Sequence, residues 1–235
     1  MKIEILRHQI GESESYYQCF EYSSDDPAET VATMLNNLNS RENLTDIEGK
    51  PARKIAYKKS CLQKKCGSCA MLINGKPSLA CDRKLVDLGE EIKLEPLKKF
   101  PVVEDLIVDR SYMQENLKAM NAYLENNALI SKKRNEYAYE ASRCLQCGCC
   151  LEVCPNFMID NGFTGIAGSN ILSRLIIQTD KKKLKDLNKQ YRTHVHEGCG
   201  KSLSCVDICP ANIKIEELLV RSNAIAVWRR NIKDR

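Results

Sequence analysis

The chain has 235 residues, 43% of them hydrophobic and 29% charged, with a formal net charge of +5 at pH 7. Such values are ordinary for a soluble globular protein of one or two domains, and the mild charge makes a weak case for nucleic-acid or membrane-surface binding. The opening MKIEILRHQI lacks the pattern of a signal peptide, and the longest apolar runs, such as Ala70 to Ile73, fall far short of the roughly 20 residues that span a bilayer.

The N-terminal part reads as β-rich. Lys2 to Arg7 and much of Tyr16 to Tyr22 alternate polar and apolar residues around Gly11, which predicts a hairpin. Asp26-Pro27-Ala28-Glu29 reads as an N-cap, a proline at N1 and a capping-box glutamate. The helix it opens carries Val31, Met34, Leu35 and Leu38 on one face. Lys54 to Tyr57 is expected as a short strand. Ala70 to Ile73 and Pro77 to Ala80 flank Asn74-Gly75, a two-residue hairpin turn. Ile92 to Glu95 adds a strand closed by Pro96. Beyond Pro101 the period becomes helical, with Met113, Leu117, Met120 and Leu124 predicting a helix over Tyr112 to Leu129. Ser169 to Gln178 and Ile215 to Trp228 read the same way. The change of character near residues 96–105 divides the chain into a β-rich domain, 1–100, and a helical domain, 101–235.

Thirteen cysteines in a chain without an export signal are not explained by disulfides, because the cytosol keeps thiols reduced. Ligation of metal by thiolate is the remaining common use. Eleven of them form three spaced groups: Cys61-x4-Cys66-x2-Cys69-x11-Cys81, Cys144-x2-Cys147-x2-Cys150-x3-Cys154-Pro155, and Cys199-x5-Cys205-x3-Cys209-Pro210. The first matches the plant-type [2Fe–2S] pattern. A tight loop wraps three thiolates round one side of a flat cluster, and the following hairpin returns Cys81 to the other. Gly67 and Ser68 are small, so backbone N–H groups can approach the bridging sulfides and raise the reduction potential. A zinc site is the alternative, but its usual spacings differ.

The second group is the bacterial ferredoxin run, in which the fourth cysteine of each run ligates the other cluster. Cys144, Cys147 and Cys150 are therefore expected to hold a [4Fe–4S] cluster with Cys209, while Cys154 joins Cys199 and Cys205. In that last set the template calls for a cysteine at position 202, where Ser202 stands. Three thiolates fit a [3Fe–4S] cluster; a serine oxygen holding a fourth iron is the alternative. Cys149 reads as a small buried hydrophobe beside the cluster, and Cys19 as a core or edge-strand residue. The two late groups follow one template and form a weak internal repeat.

These motifs in this order resemble the iron–sulfur subunit of succinate dehydrogenases and fumarate reductases. The residues Cys66-Gly67-Ser68-Cys69, Asn74-Gly75-x2-Ser78-Leu79-Ala80-Cys81, Pro101-x7-Asp109 and Gly162-Phe163-x-Gly165, with Ser169 and Arg174, extend the likeness over nearly the whole chain. The resemblance implies an α+β chain, a β-grasp plant-type ferredoxin domain followed by an α-helical ferredoxin domain. It also implies a flavoprotein partner with covalent FAD, a quinone-handling membrane anchor, and the reaction succinate + quinone ⇌ fumarate + quinol. This chain would then lie on the cytoplasmic face of the membrane, held peripherally by its anchor.

Two positions depart from the family pattern. Many members have a tryptophan where Ile159 stands and a histidine where Gly200 stands, both beside the quinone pocket. The departures resemble the branch whose anchor is a dihaem cytochrome b. Lys64 and Lys65 lie where the family often has an acidic residue, and their charge is expected to favour a reduced [2Fe–2S] cluster.

His194 and His196 flank Val195 and would share one side of a strand, as solvated or hydrogen-bonded side chains rather than ligands. Lys181-Lys182-Lys183 reads as solvated surface. Ile215, Leu218, Leu219 and Ser222 form a helix face expected to pack on their own domain, while Trp228-Arg229-Arg230, Lys233 and Arg235 are candidates for docking on an anchor. No Gly-rich dinucleotide fingerprint or nucleophile–base pair appears, so substrate conversion belongs to a partner. The rival readings are an iron–sulfur subunit of a soluble or thiol-driven fumarate reductase, which usually needs a further cysteine-rich domain, and a structural zinc module.

Overall fold

The computed structural model describes residues 1–228 apart from Ser13 and Ile130. The chain divides into two units, Met1–Asp109 and Arg110–Arg235. The first holds a five-stranded sheet in the order β2-β1-β5-β3-β4. Its strands are β1 (Lys2–Arg7), β2 (Tyr16–Glu21), β3 (Ala70–Ile73), β4 (Lys76–Leu79) and β5 (Glu91–Glu95). Strand β1 pairs antiparallel with β2 and parallel with β5, while β3 runs antiparallel to both β4 and β5. Asn74 and Gly75 take left-handed φ values of 49° and 75°, as the tight turn between β3 and β4 requires.

Helix α1 (Val31–Ser40) buries Val31, Ala32, Met34, Leu35 and Leu38. It starts later than its sequence suggests. Thr30 is the N-cap, accepting a hydrogen bond from Thr33 N, whereas Asp26 caps only a turn by accepting from Ala28 N at 2.8 Å. Glu29 closes no capping box. It is buried and accepts from the Tyr22 hydroxyl at 2.6 Å and Asn37 Nδ2 at 2.9 Å.

The alternation of β1 puts Ile3, Ile5 and Arg7 on one buried face. An arginine there must be paired, since a lone buried charge is far costlier than a buried side chain of the same size. Asp105, equally buried, accepts from Arg7 Nε at 3.0 Å, while Arg7 also donates to Gln18 Oε1 and to the carbonyls of Arg53 and Lys54. The same carboxylate accepts from His8 N at 3.1 Å and Ala56 N at 2.8 Å. Asp105 sits in the turn between β6 (Val102–Glu104) and β7 (Ile107–Val108). That anchor explains why the first unit runs to Asp109, past the boundary expected near residues 96–105. It also explains why Lys54 to Tyr57 is not a strand. The segment is extended, but its partners are side chains and isolated amides: Ile55 N donates to Asn39 Oδ1, and Ala56 O accepts from Leu106 N.

The second unit is helical: α2 (Ser111–Ala119), α3 (Lys132–Ser142), α4 (Cys149–Glu152), α5 (Gly165–Gln178), α6 (Lys181–Tyr191), α7 (Ser204–Asp207) and α8 (Ile215–Ala226). Helix α5 is central and packs against α3, α6 and α8. The expected helix through Leu129 ends at Ala119, because Asn121 turns left-handed (φ 48°) and Ala122 N returns to the Leu117 carbonyl, a C-terminal capping pattern. Helix α6 begins at Asp180, which caps Lys182 N and Lys183 N. The three-lysine run is therefore a first helical turn, and Lys183 is buried between Glu125 (3.4 Å) and Asp186 (3.2 Å), with the Tyr123 ring beneath it. His194 and His196 lie on a π-helical turn, Arg192–His196, rather than a strand, and His194 Nδ1 meets the Gly162 carbonyl at 2.9 Å. In α8, Ile215, Leu218, Leu219 and Ser222 are all buried within the unit. Trp228 is exposed, and Arg229, Arg230, Lys233 and Arg235 lie outside the described residues.

Arg7→Met leaves the Asp105 carboxylate buried with two amide donors and the more distant Arg53 guanidinium at 3.8 Å. Loss of one partner of a buried pair costs about 3–5 kcal/mol. A correspondingly lower urea midpoint for the full chain is the expected result, and an unchanged midpoint would show that the pair contributes nothing.

Candidate metal centres

The first cysteine loop, residues 61–69, runs from the extended 53–57 segment into β3. Leu62, Lys64 and Gly67 all take left-handed backbone angles (φ 52°, 57° and 70°), a conformation in which successive N–H groups turn toward one concave side. Lys65 N donates to Cys61 Sγ at 3.3 Å, Gln63 N to the same sulfur at 3.4 Å, and Lys64 N to Cys81 Sγ at 3.4 Å. The β3–β4 hairpin returns Cys81 to within 3.4 Å of Cys69, sulfur to sulfur. The Ser68 hydroxyl lies 3.0 Å from Cys66 Sγ and draws that thiol down to about 6, whereas burial pushes Cys69 up to about 12. A buried thiol with so high a value becomes a ligand only when a metal supplies the compensating charge.

In the second unit the two remaining groups repeat one backbone, offset by 55 residues. Gln146 and Gly148 are left-handed (50°, 86°), and so are Lys201 and Leu203 (57°, 58°). Each pair leads into a one-turn helix, α4 or α7, closed by matching bonds: Leu151 N to Gly148 O and Val206 N to Leu203 O, then Cys154 N to Leu151 O and Cys209 N to Val206 O. Cys144, Cys147, Cys150 and Cys209 line one cavity, walled by Ile166, Ala167 and Ile213. Cys154, Cys199 and Cys205 line a second, together with Ser202, and Cys150 borders both. The exchange of Cys154 and Cys209 between the two runs thus places each beside the partners its spacing predicted. Ser202 occupies the place of Cys147 in the repeat, with its hydroxyl 3.4 Å from Ser204 Oγ.

Among the described residues no three Cys, His, Asp or Glu side chains are grouped for a single metal ion. Donor type and cavity lining nonetheless suit sulfide-bridged clusters, in which one iron takes only one or two protein thiolates. Burial raises Cys144 and Cys150, and raises Cys205 to about 11. Cys147 falls to about 7, chiefly because the Cys149 thiol donates to it. Sequence reading took Cys149 as packing alone. It also missed Arg110, whose Nη1 donates to the Cys147 carbonyl at 2.8 Å, and Gln146, whose Nε2 donates to Cys144 Sγ at 3.1 Å. Arg110 is far away in sequence and carried no local signal. Cys19 lies on the edge strand β2, away from these groups.

Gly200 has a steric account. A Cβ there would stand 2.8 Å from Asn156 Nδ2, an amide already committed to the Gly198 carbonyl at 2.7 Å, so a larger residue requires that side chain to move. Lys64 is less of a free cation than its sequence suggests, because its ammonium pairs with Asp82 at 2.8 Å. The positive influence in this loop comes first from the amides of Lys64 and Lys65.

Residues 2–115 match the family model described as a 2Fe-2S iron-sulfur cluster binding domain, and residues 140–213 match a 4Fe-4S dicluster domain. The succinate dehydrogenase iron-sulfur subunit of Bacillus subtilis is 30% identical over 231 residues, covering 93% of this chain and 89% of that one. The chain belongs to the succinate dehydrogenase and fumarate reductase iron–sulfur subunit family. The fumarate reductase iron-sulfur subunit of Haemophilus influenzae is 27% identical, over 91% of this chain and 88% of that one. A chain of the Mycobacterium smegmatis Sdh1 complex in the apo form shares the fold, with a TM-score of 0.76 at 21% identity over 97% of this chain and 96% of that one. The family's two-part architecture, a 2Fe-2S domain and a helical dicluster domain, is thus the one seen here.

Asp82→Asn releases the Lys64 ammonium beside the [2Fe–2S] site and is expected to raise its midpoint potential, while Lys64→Met leaves Asp82 unpaired and is expected to lower it. Both groups are more than a third exposed or nearly so, which limits each shift to about 1 kcal/mol, or about 40 mV for one electron, at low salt. Redox titration at low and high ionic strength checks this. Equal shifts of the same sign in both variants would contradict the charge argument.

Proposed function

We propose that this chain is the electron-transfer subunit linking an FAD-containing flavoprotein to a membrane anchor, in a complex that interconverts succinate and fumarate with quinone and quinol. The observation that carries the reading is the sorting of eleven cysteines into three sets on a family-length chain: Cys61, Cys66, Cys69 and Cys81; Cys144, Cys147, Cys150 and Cys209; Cys154, Cys199 and Cys205. In this reading they hold a [2Fe–2S], a [4Fe–4S] and a [3Fe–4S] cluster respectively. Bound clusters of these kinds take up and release single electrons, which matches a two-electron flavin to a distant acceptor.

The chain's own residues hold, dry and bias these sites. Ile166, Ala167 and Ile213 keep water from the first cavity of the second unit, and Phe163, Val195 and Leu219 from the other. The Arg110 guanidinium, donating to the Cys147 carbonyl, brings positive charge near the site, and the Gln146 amide donates to the Cys144 sulfur; both stabilise added negative charge. Gly200 and Ile159, in place of the quinone-pocket residues of many relatives, support an anchor of the dihaem cytochrome b kind, with quinone bound elsewhere in it. The chain then sits peripherally on the cytoplasmic side of the membrane. No helix among the described residues is long and apolar enough to cross a bilayer.

Purifying the complex from its native membrane and comparing succinate oxidation by a defined quinone with fumarate reduction by the matching quinol tests the reading. Copurification with a flavoprotein and quinone-dependent turnover are expected. Turnover that ignores quinone and needs a thiol or other donor would replace it with the non-quinone fumarate reductase. In the same preparation Ser202→Cys supplies the thiolate that Cys147 supplies in the sister loop. It is expected to convert the three-iron signal, paramagnetic when oxidised, to a four-iron cluster that is silent until reduced. A persistent three-iron signal would show that position 202 does not face the vacant corner.

A further inference from the structure

All three cysteine loops contain one four-residue unit: Cys66-Gly67-Ser68-Cys69, Cys147-Gly148-Cys149-Cys150 and Ser202-Leu203-Ser204-Cys205. In each the second residue is left-handed, with φ values of 70°, 86° and 58°. That bend brings the third side chain back onto the first. Ser68 Oγ lies 3.0 Å from Cys66 Sγ and Ser204 Oγ donates to Ser202 Oγ at 3.4 Å, while Cys149, at the same place in its bend, draws the Cys147 thiol down as a side-chain donor does. Cys149 is fully buried and lines neither cavity, so its thiol reaches Cys147 from outside the metal site.

We propose that Ser68 and Cys149 are positioning residues that set the reduction potentials of the [2Fe–2S] and [4Fe–4S] clusters, each by donating a side-chain hydrogen bond to one ligand sulfur, Cys66 or Cys147. The inference rests on the cluster reading above. A sulfur bound to iron carries no proton, so the hydroxyl of Ser68 and the thiol of Cys149 are the donors. Reduction adds one electron, taking one ferric iron to ferrous; no bond forms or breaks and the donor keeps its proton. The ligand sulfurs become more negative, and a donor held against them binds the reduced form more strongly. S–H is a weak donor in water, but in a dry interior its contribution grows. The third loop keeps the donor and has lost the acceptor, because Ser202 offers a neutral hydroxyl where a thiolate would stand. Ser204 therefore has no such effect.

The test is redox titration of the purified complex, followed by electron paramagnetic resonance, on Ser68→Ala, Cys149→Ala and Ser204→Ala, with Ser68→Thr and Cys149→Ser as conservative partners. Ser68→Ala is expected to lower the equilibrium constant for reducing the [2Fe–2S] cluster about tenfold, equivalent to about 59 mV for one electron, and to leave the other clusters unmoved. Cys149→Ala is expected to do the same at the [4Fe–4S] cluster alone. The threonine and serine variants keep a donor and should hold the wild-type potentials, and Ser204→Ala should shift nothing. Unmoved potentials in clusters of full iron content overturn the proposal, as does an equal shift in Ser204→Ala. If Cys149→Ala loses its cluster to a packing defect, Ser68→Ala and Cys149→Ser still decide the matter. Wild-type complex with no cluster signals would instead defeat the cluster reading itself, a result distinguishable from unmoved potentials.

Discussion

A thiolate cluster is a concentration of negative charge, and a protein that holds one must aim backbone N–H groups at sulfur from several directions. An extended backbone alternates its amides and a helix points them all one way along its axis, so neither converges them from several directions within a few residues. Each cysteine loop here meets the demand with left-handed residues, most of them not glycine: Leu62, Lys64, Gln146, Lys201 and Leu203. A non-glycine residue in that region is strained by about 1–2 kcal/mol. The strain is held in place by the one-turn helices and by β3, which begins immediately after Cys69. Most other features of the chain brace these three loops.

The bracing differs between the two units. In the first, a sheet and one helix form the frame, but the segment feeding the cysteine loop, residues 53–57, has no ladder of its own. It is held by Asn39 and by the buried Arg7–Asp105 pair, whose hydrogen bonds reach β1, this segment and the turn before β7. Charge buried at that cost gives direction, which apolar contacts lack, and so fixes where the loop begins. In the second unit the frame is α5. Gly165 starts it with a left-handed φ of 58°, and a Cβ there would stand 2.4 Å from Leu151 Cδ2, so a larger residue would have to push that α4 side chain aside.

Much of this was legible in the sequence, for unequal reasons. The ferredoxin template predicts that Cys154 and Cys209 change places, and the two cavities bring together those same thiols. The strands of the first unit, with alternating side chains and an Asn-Gly turn, were equally plain. Helix α1 was started too early because Asp26 and Thr30 are both good caps, and only the burial of Glu29 against Tyr22 separates them. Helix α3 was invisible since its buried face is made of alanines, Ala138 and Ala141, in an otherwise polar segment. Lys183 shows the limit of treating a charge run as one feature, for its neighbours stay in water while it is enclosed. Arg110, Gln146 and Cys149 were missed because hydrogen bonds to a site follow from the tertiary fold, and spacing does not encode them.

The exchange of one cysteine between the two late runs has a consequence for assembly. Cys209 belongs to the first cavity and Cys154 to the second, while Cys150 borders both, so neither set of thiols is complete until both runs have met, α4 against α7. Burial raises the thiols of Cys144, Cys150 and Cys205, so a metal bound there would have to displace their protons. On the proposed ligand sets, metal binding would therefore favour the docked arrangement of the two runs. Such coupling also explains how Leu203 persists. Its counterpart Gly148 adopts the same left-handed bend at little cost, whereas leucine pays for it. On the proposed ligand set, metal held by Cys199 and Cys205, on either side of it, would offset that strain. The loop that has Ser202 in the place of Cys147 keeps the same backbone as its sister loop.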